Sequence, residues 1–380
     1  MNIDSDFLDE EEWLHRCIKC STCKYIFRDY SPSCPSGEMF NFESFYASGR
    51  IKIAQALEQG ELEWSEDLLL PIFACPLCGN CEVQCQAPHQ DIIVDLMEDL
   101  RRRAVEKIGP LPSHSHFAKS VEKNHNPYGE PHHDRLTAEQ LGLPEQADLI
   151  YFIGCTSTYR EQQVRDATLS LLEKAGVEFT VIDEYCCGSP LLRTGQMDLT
   201  NSLAKHNVES FNKAESTRIL TSCAGCYRTL SKDYPKLGFT PPEIIHVTEL
   251  LSELLHNDRL KLRSGIDPRT VTYHDPCHLG RHCGEYDSPR DVIESLPVDF
   301  VEMEASRENA WCCGAGGGVK AGFNDFAIWS AEQRIQHAKD VEADILTSSC
   351  PFCKRNLSDA RKDGDPEILD LVQLIERMLI

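Results

Sequence analysis

Ten cysteines recur as two copies of one pattern, and no other feature of the chain restricts its fold so tightly. The first copy holds Cys155, the pair Cys186 and Cys187 in "YCCGSP", and Cys223 and Cys226 in "SCAGC". The second holds Cys277, the pair Cys312 and Cys313 in "WCCGAGGGVKAG", and Cys350 and Cys353 in "SCPFC". Corresponding cysteines stand 122 to 127 residues apart. Neighbouring cysteines rarely bridge each other, because disulfide geometry strains the peptide between them. Five thiols per copy is one more than a cubane cluster or a tetrahedral zinc requires. The two copies are therefore expected to fold alike and to gather their cysteines at two related crevices.

The runs between the cysteines say how. "ADLIYFIGC" reads as a buried strand ending at Cys155, and "REQQVRDATLSLLEKAG" as a helix stopped at Gly176. "VEFTVID" and "RILTS" read as further strands before Cys186 and Cys223. The second copy repeats the order with "TVTYHDPC", "VDFVEME" and "ADILTSSC". Strands alternating with helices predict parallel α/β units, with cysteines just past the strand carboxyl ends. Gly188 and Gly314 follow the cysteine pairs, where the missing Cβ lets the backbone turn close to a bulky group. The "GAGGG" run lacks the GK[ST] ending of a phosphate-binding loop, so it reads as a tight loop over a cluster.

Eight more cysteines precede the repeat. "CIKCSTC" supplies Cys17, Cys20 and Cys23, with Cys34 following; "CPLCGNCEVQC" supplies Cys75, Cys78, Cys81 and Cys85. Two CxxCxxC runs, each with a trailing cysteine, are the mark of two [4Fe–4S] cubanes, the fourth ligand of each coming from the other run. This assigns Cys17, Cys20, Cys23 and Cys85 to one cubane, and Cys75, Cys78, Cys81 and Cys34 to the other. Structural zinc is the alternative, though zinc sites usually use paired CxxC motifs rather than triplets. "FYASGRIKIAQALEQGEL" between the runs has helical spacing, which predicts a helical ferredoxin domain rather than a compact βαβ one. Only Cys283 is left over, a spare thiol.

The expected fold is thus α/β with an N-terminal all-helical ferredoxin domain (1–109), a linker (110–146) and two pseudo-repeated parallel α/β modules (147–262 and 263–380). A length of 380 residues accommodates this. A net charge of −23 argues against nucleic acid and against an anionic membrane surface. The N-terminus has no signal-peptide pattern. The longest apolar run, "LLLPIFACPL", falls short of a membrane span of ~20 residues. The chain is expected to be cytoplasmic, associated with a membrane only through a partner.

Together the CxxCxxC pair and the two Cx(30–40)CCG…CxxC modules resemble the D-type subunit of heterodisulfide reductase, a fusion of the reductase's C-type and B-type chains. The resemblance runs from about Leu14 to about Ser358. It implies that Cys155, Cys186, Cys187, Cys223 and Cys226 hold one noncubane [4Fe–4S] cluster. Cys277, Cys312, Cys313, Cys350 and Cys353 would hold another. It further implies reduction of the mixed disulfide of coenzymes M and B between those clusters, with electrons arriving singly through the cubanes. The implied donor is a b-type cytochrome membrane subunit or a flavoprotein, with no flavin on this chain. Iron–sulfur subunits of glycolate, lactate and glycerol-3-phosphate dehydrogenases are also similar. They imply the alternative, an electron relay from a flavin partner or an electron-transfer flavoprotein to quinone or a cytochrome.

Other residues near the cysteines suit such chemistry. "HDPCHLGRHC" places His274, His278, Arg281 and His282 around Cys277. Histidine can donate the protons that disulfide reduction consumes. Arg193, Arg281 and Lys320 could hold anionic substrate ends. Of these, His278, Arg281 and Lys320 are the substrate or proton candidates. "RRRAVEKIG" from Arg101 reads as a basic helix end or a docking patch. The histidines between Pro110 and Arg135 are too irregular for a metal tract, and that segment reads as linker. The acidic residues 4–12 read as a solvated end or a partner contact.

Overall fold

The computed structural model describes residues 14–263 and 269–380, so the acidic stretch 4–12 lies outside the described residues. The N-terminal part is helical, with one isolated bridge, Tyr25 to Pro32, among the described residues. Helix α1 (Ala47–Glu58) forms within the run expected to be helical. It buries Ile51, Ala54 and Leu57 against α2 (Ile93–Lys107), which answers with Ile93, Leu96, Met97, Leu100 and Ala104. The α2 spacing is i, i+3, i+4, i+7, i+11, one continuous helix face. Each large aliphatic side chain so buried contributes ~1.5–3 kcal/mol.

The two modules follow as parallel sheets. Strands β1 (Leu149–Tyr151), β2 (Arg218–Thr221) and β3 (Glu243–His246) lie in the order β1-β2-β3. Strands β4 (Thr270–His274), β5 (Asp299–Phe300), β6 (Ile345–Ser348) and β7 (Glu367–Asp370) lie in the order β5-β4-β6-β7. Every pairing is parallel, and β1, β2 and β3 correspond to β4, β6 and β7. The expected strand in "VEFTVID" shrinks to a single parallel bridge, Ile150 to Thr180, and its counterpart β5 to two residues. Both lie at a sheet edge, where a strand finds only one neighbour. The modules share two hydrophobic cores rather than owning one each: Tyr151, Val164, Tyr273 and Leu369 pack in one cluster, Phe152, Phe211, Leu346 and Leu357 in the other.

Residues 110–146, expected to be a simple linker, are put to further use. Helix α3 (Pro112–Asn124) lies against both halves, with His114 fully buried beside Phe73 and its Nε2 3.0 Å from the Gly318 carbonyl. Arg101 likewise departs from its reading as a basic helix end, because it is fully buried. No helix among the described residues is long and apolar enough to cross a membrane.

Candidate metal centre

None of the nineteen cysteines is in a disulfide. Cys17, Cys20 and Cys23 line one hollow together with Cys85, closed below by Ala47, Ile51 and Ile93. Cys34 feels the charge of Cys75 and Cys78, and Cys81 that of Cys78, Cys75 and Cys34, so these four form the second group. Burial pushes the Cys34 thiol up to about 12 and Cys81 well above the usual thiol range. The first group reaches the surface at Cys20, which is exposed.

In the modules, strand ends deliver the cysteines. Cys155 opens a short helix just past β1, Cys223 caps the helix after β2, and Cys350 caps α4 (Pro351–Ala360) after β6. Gly188 and Gly314 have φ of 92° and 89°, in the left-handed region. The sharp turns expected there are present, and a second constraint adds to them. A Cβ on Gly188 would meet Thr200 at 2.8 Å, and on Gly314 Ser330 at 2.5 Å, so the turns need glycine to clear the following helix. The later glycines clear the ferredoxin part instead, since a Cβ on Gly317 would lie 2.5 Å from the Cys75 carbonyl.

The thiols form one continuous run. Cys155 contacts Cys186, Cys186 contacts Cys187, and Cys187 contacts Cys226. Cys226 leads to Cys223, and Cys223 crosses between the modules to Cys350. Cys350 then leads to Cys353, whose Sγ lies 3.4 Å from that of Cys313. Cys313 adjoins Cys312, and Cys312 touches both Cys277 and Cys78 of the ferredoxin part. Hydrogen bonds along the run split the thiols. Cys312 draws Cys78 down to about 6, Cys186 and Cys226 hold Cys187 well below the usual range, and Cys312 and Cys353 do the same for Cys313. The thiolate, which is the form of cysteine that binds metal, is thus favoured at these three positions.

A cavity of about 470 Å³ opens where the modules meet, with nine of the ten repeat cysteines on its wall. His278 and Lys320 line it, as do Phe117, Tyr128 and the Gly316–Gly318 run. The His278 Nε2 is buried without a hydrogen-bond partner, and burial with Arg228 and Arg193 nearby holds its ring well below the usual histidine range. Lys320 Nζ sits 2.8 Å from Asp359. Arg281 lies elsewhere. Its Nε and Nη1 donate to the carbonyls of Cys78, Glu308 and Ala310, so it clamps the ferredoxin part to module two and does not line the cavity, while its Nη2 is buried without a partner. Arg193 touches the cavity edge, but its donors serve Glu98 and Asp233.

A "4Fe-4S dicluster domain" family model matches residues 13–88, and a "Cysteine-rich domain" model matches 149–231 and again 271–358. The D-type subunit of the dihydromethanophenazine:CoB–CoM heterodisulfide reductase of Methanosarcina acetivorans is 39% identical over 390 residues, covering 96% of this chain and 94% of that one. The chain belongs to the family of heterodisulfide reductase D-type subunits. A probable iron–sulfur-binding oxidoreductase, FadF of Bacillus subtilis, is 32% identical over 81% of this chain and 46% of its own. A hypothetical protein from Helicobacter pylori shares the fold, with a TM-score of 0.58 at 10% identity, covering 88% of this chain and 67% of that one.

Like its heterodisulfide reductase relatives, the chain is an iron–sulfur oxidoreductase subunit. The donor set fits such cofactors, being all thiol, largely buried, unbridged and grouped beside carbonyls and glycines. Some neighbours of the centre carry no sequence signal of their own. Phe117 and Tyr128 come from the segment read as linker, and Arg135 Nη2 donates to Cys155 Sγ at 3.2 Å. A buried apolar face at Phe117, Ala118 and Val121 was the available hint that this segment packs.

Proposed function

We propose that the chain splits a disulfide of the CoM–S–S–CoB kind in the cavity between its two modules. The observation that carries this is the unbroken thiol run from Cys78 to Cys155, opening midway onto a cavity walled by both copies. A bare electron relay needs the cysteines and room for their clusters, but not the apolar side chains Phe117, Pro190 and Phe352 that extend the same wall. Two cubanes at Cys17, Cys20, Cys23, Cys85 and at Cys34, Cys75, Cys78, Cys81, and two noncubane clusters on the ten repeat cysteines, would supply electrons one at a time. Cleavage of the S–S bond takes two electrons and two protons and yields two thiols.

The chain's own residues do the rest. Phe117, Pro190 and Phe352 give an apolar wall that excludes water from the disulfide. His278 lines the same space and, with its Nε2 free of any hydrogen-bond partner, would offer a ring hydrogen bond to a departing sulfur. Lys320 holds an anionic substrate end. Lys320→Met is therefore expected to raise KM about tenfold with kcat within about twofold, a charge-assisted contact being worth ~1.5–3 kcal/mol. Steady-state kinetics check this; an unchanged KM would assign Lys320 to Asp359 alone.

The donor, a b-type cytochrome or flavoprotein subunit, meets the chain at Cys20. Five of the nine exposed large hydrophobic side chains among the described residues, Ile18, Tyr25, Phe27, Tyr30 and Phe42, cluster in that stretch. Such a patch suits a partner surface. The test is direct. Anaerobically purified protein is expected to hold about sixteen irons and to reduce the coenzyme heterodisulfide with reduced viologen. Turnover of glutathione disulfide with none of the heterodisulfide would defeat the substrate assignment. Inertness until a flavoprotein is added would favour the relay.

A further inference from the structure

Module two places a nitrogen donor at its cysteines where the matching position of module one has none. Cys277 stands 122 residues after Cys155, and at the same offset His274 replaces Phe152. The register is secure, since Tyr273 matches Tyr151 on the preceding strand position. Phe152 is fully buried in an apolar cluster. His274 is just as buried, and a ring nitrogen lies within 4.8 Å of the sulfurs of Cys313 and Cys353.

Arg334 decides which nitrogen carries the proton. Its Nε donates to His274 Nδ1 at 3.2 Å. Arginine keeps its protons, so Nδ1 must accept and the ring hydrogen sits on Nε2. Arg334 is itself pinned, fully buried on the helix Asn324–Asp340 with Nη1 donating to the Ala305 carbonyl at 2.7 Å. His274 Nε2 is buried without a hydrogen-bond partner. A buried donor left unpaired is costly, and what lies in front of this one is the sulfur group of module two. In module one the pair is replaced together. Counting back 127 residues from Arg334, the offset of Cys350 to Cys223, reaches Asn207, whose amide serves the backbone at Tyr185 and Cys186. Module one's own donor to sulfur is the arginine Arg135, at Cys155.

We infer that His274, held by Arg334, donates Nε2–H to the sulfur of the cluster on Cys277, Cys312, Cys313, Cys350 and Cys353, and thereby raises the potential of that cluster alone. This rests on the cluster reading above. Hydrogen bonds to sulfur stabilise the added electron and make reduction easier. His274 is thus a positioning residue for the reductant and need not touch the substrate.

The experiment uses anaerobically purified full-length protein with its iron, labelled with ¹⁵N-histidine. Paramagnetic resonance is expected to show a weak nitrogen coupling on the module-two signal. His274→Phe should erase that coupling and lower the module-two reduced-to-oxidised ratio about tenfold at fixed poise, ~59 mV for one electron. Module-one signals should stay unmoved. His274→Gln, which keeps an N–H, should retain most of the potential. If the Phe variant fails to fold, the coupling in the unsubstituted protein decides. A module-two cluster with no nitrogen coupling overturns the inference alone, as does the strong coupling of an iron-bound nitrogen. An unsubstituted protein lacking iron in module two overturns the cluster reading and this inference with it.

Discussion

Cys313→Ser is expected to lose about four of about sixteen irons and to lower heterodisulfide turnover on the order of 10²-fold or more, since even outer-sphere losses around metals cost 10–100-fold. Cys313 stands inside the thiol run, between Cys312 and Cys353, and its thiol is held well below the usual range by those two neighbours. A serine hydroxyl stays protonated near neutral pH and cannot take over as an anionic ligand. The backbone should survive, because Asn356 Nδ2 grips the Cys313 carbonyl at 2.7 Å whatever the side chain. The ferredoxin part should keep its iron, as Cys313 touches none of its cysteines. Cys283→Ser is the control. Burial raises the Cys283 thiol to about 11, and the largest other influences on it come from Arg228, Lys232, Ser231 and Asp233 rather than from a cysteine. Iron content and paramagnetic resonance of both variants separate the cases. Full iron and activity in Cys313→Ser would refute the ligand assignment.

What the sequence made legible was local or repeated. Cysteine spacing already joined Cys85 to the first triplet and Cys34 to the second, and the structure brings those groups together. The repeat announced parallel strands with cysteines at their ends, because hydrophobic runs and glycine stops are written within a dozen residues. Contacts between distant segments leave no such trace. Nothing near Cys78 signals its meeting with Cys312, although that contact joins the ferredoxin part to the modules. Arg281 shows the same limit. Its neighbourhood in "HDPCHLGRHC" suggested an anion, and nothing there signals that its Nε and Nη1 meet the carbonyls of Cys78, Glu308 and Ala310. Charged side chains are ambiguous in sequence, since burial with full hydrogen bonding and exposure to solvent use the same letter.

Arg101 carries that ambiguity to its largest consequence. Three arginines stand in a row, and only the first is a hub. Its Nε donates to the Ile72 carbonyl at 3.2 Å, and Nη2 to those of Phe73 and Cys75 at 3.2 and 2.6 Å. Its Nη1 reaches out of the ferredoxin part to Arg193 of module one at 2.7 Å and Gly317 of module two at 2.8 Å. One guanidinium therefore ties all three parts at the point where the glycine run passes Cys75. Burial lowers its pKa to about 10, which leaves it charged at neutral pH. Arg101→Met would strand five carbonyls and is expected to cost at least ~4 kcal/mol, with unfolding advanced on the order of 10 °C. Arg101→Lys should recover part of the loss, because an ammonium has three donors and a shorter reach. Arg102→Met should change stability by no more than ~0.5 kcal/mol, since Arg102 is 47% exposed and its partner Asp99 lies on the same helix. Thermal unfolding of the iron-loaded variants measures the ranking. Limited proteolysis adds a second reading, with faster cutting near Gly109 in Arg101→Met if the parts separate there. Equal stability of the Arg101 and Arg102 variants would show that the three parts are joined without this hub.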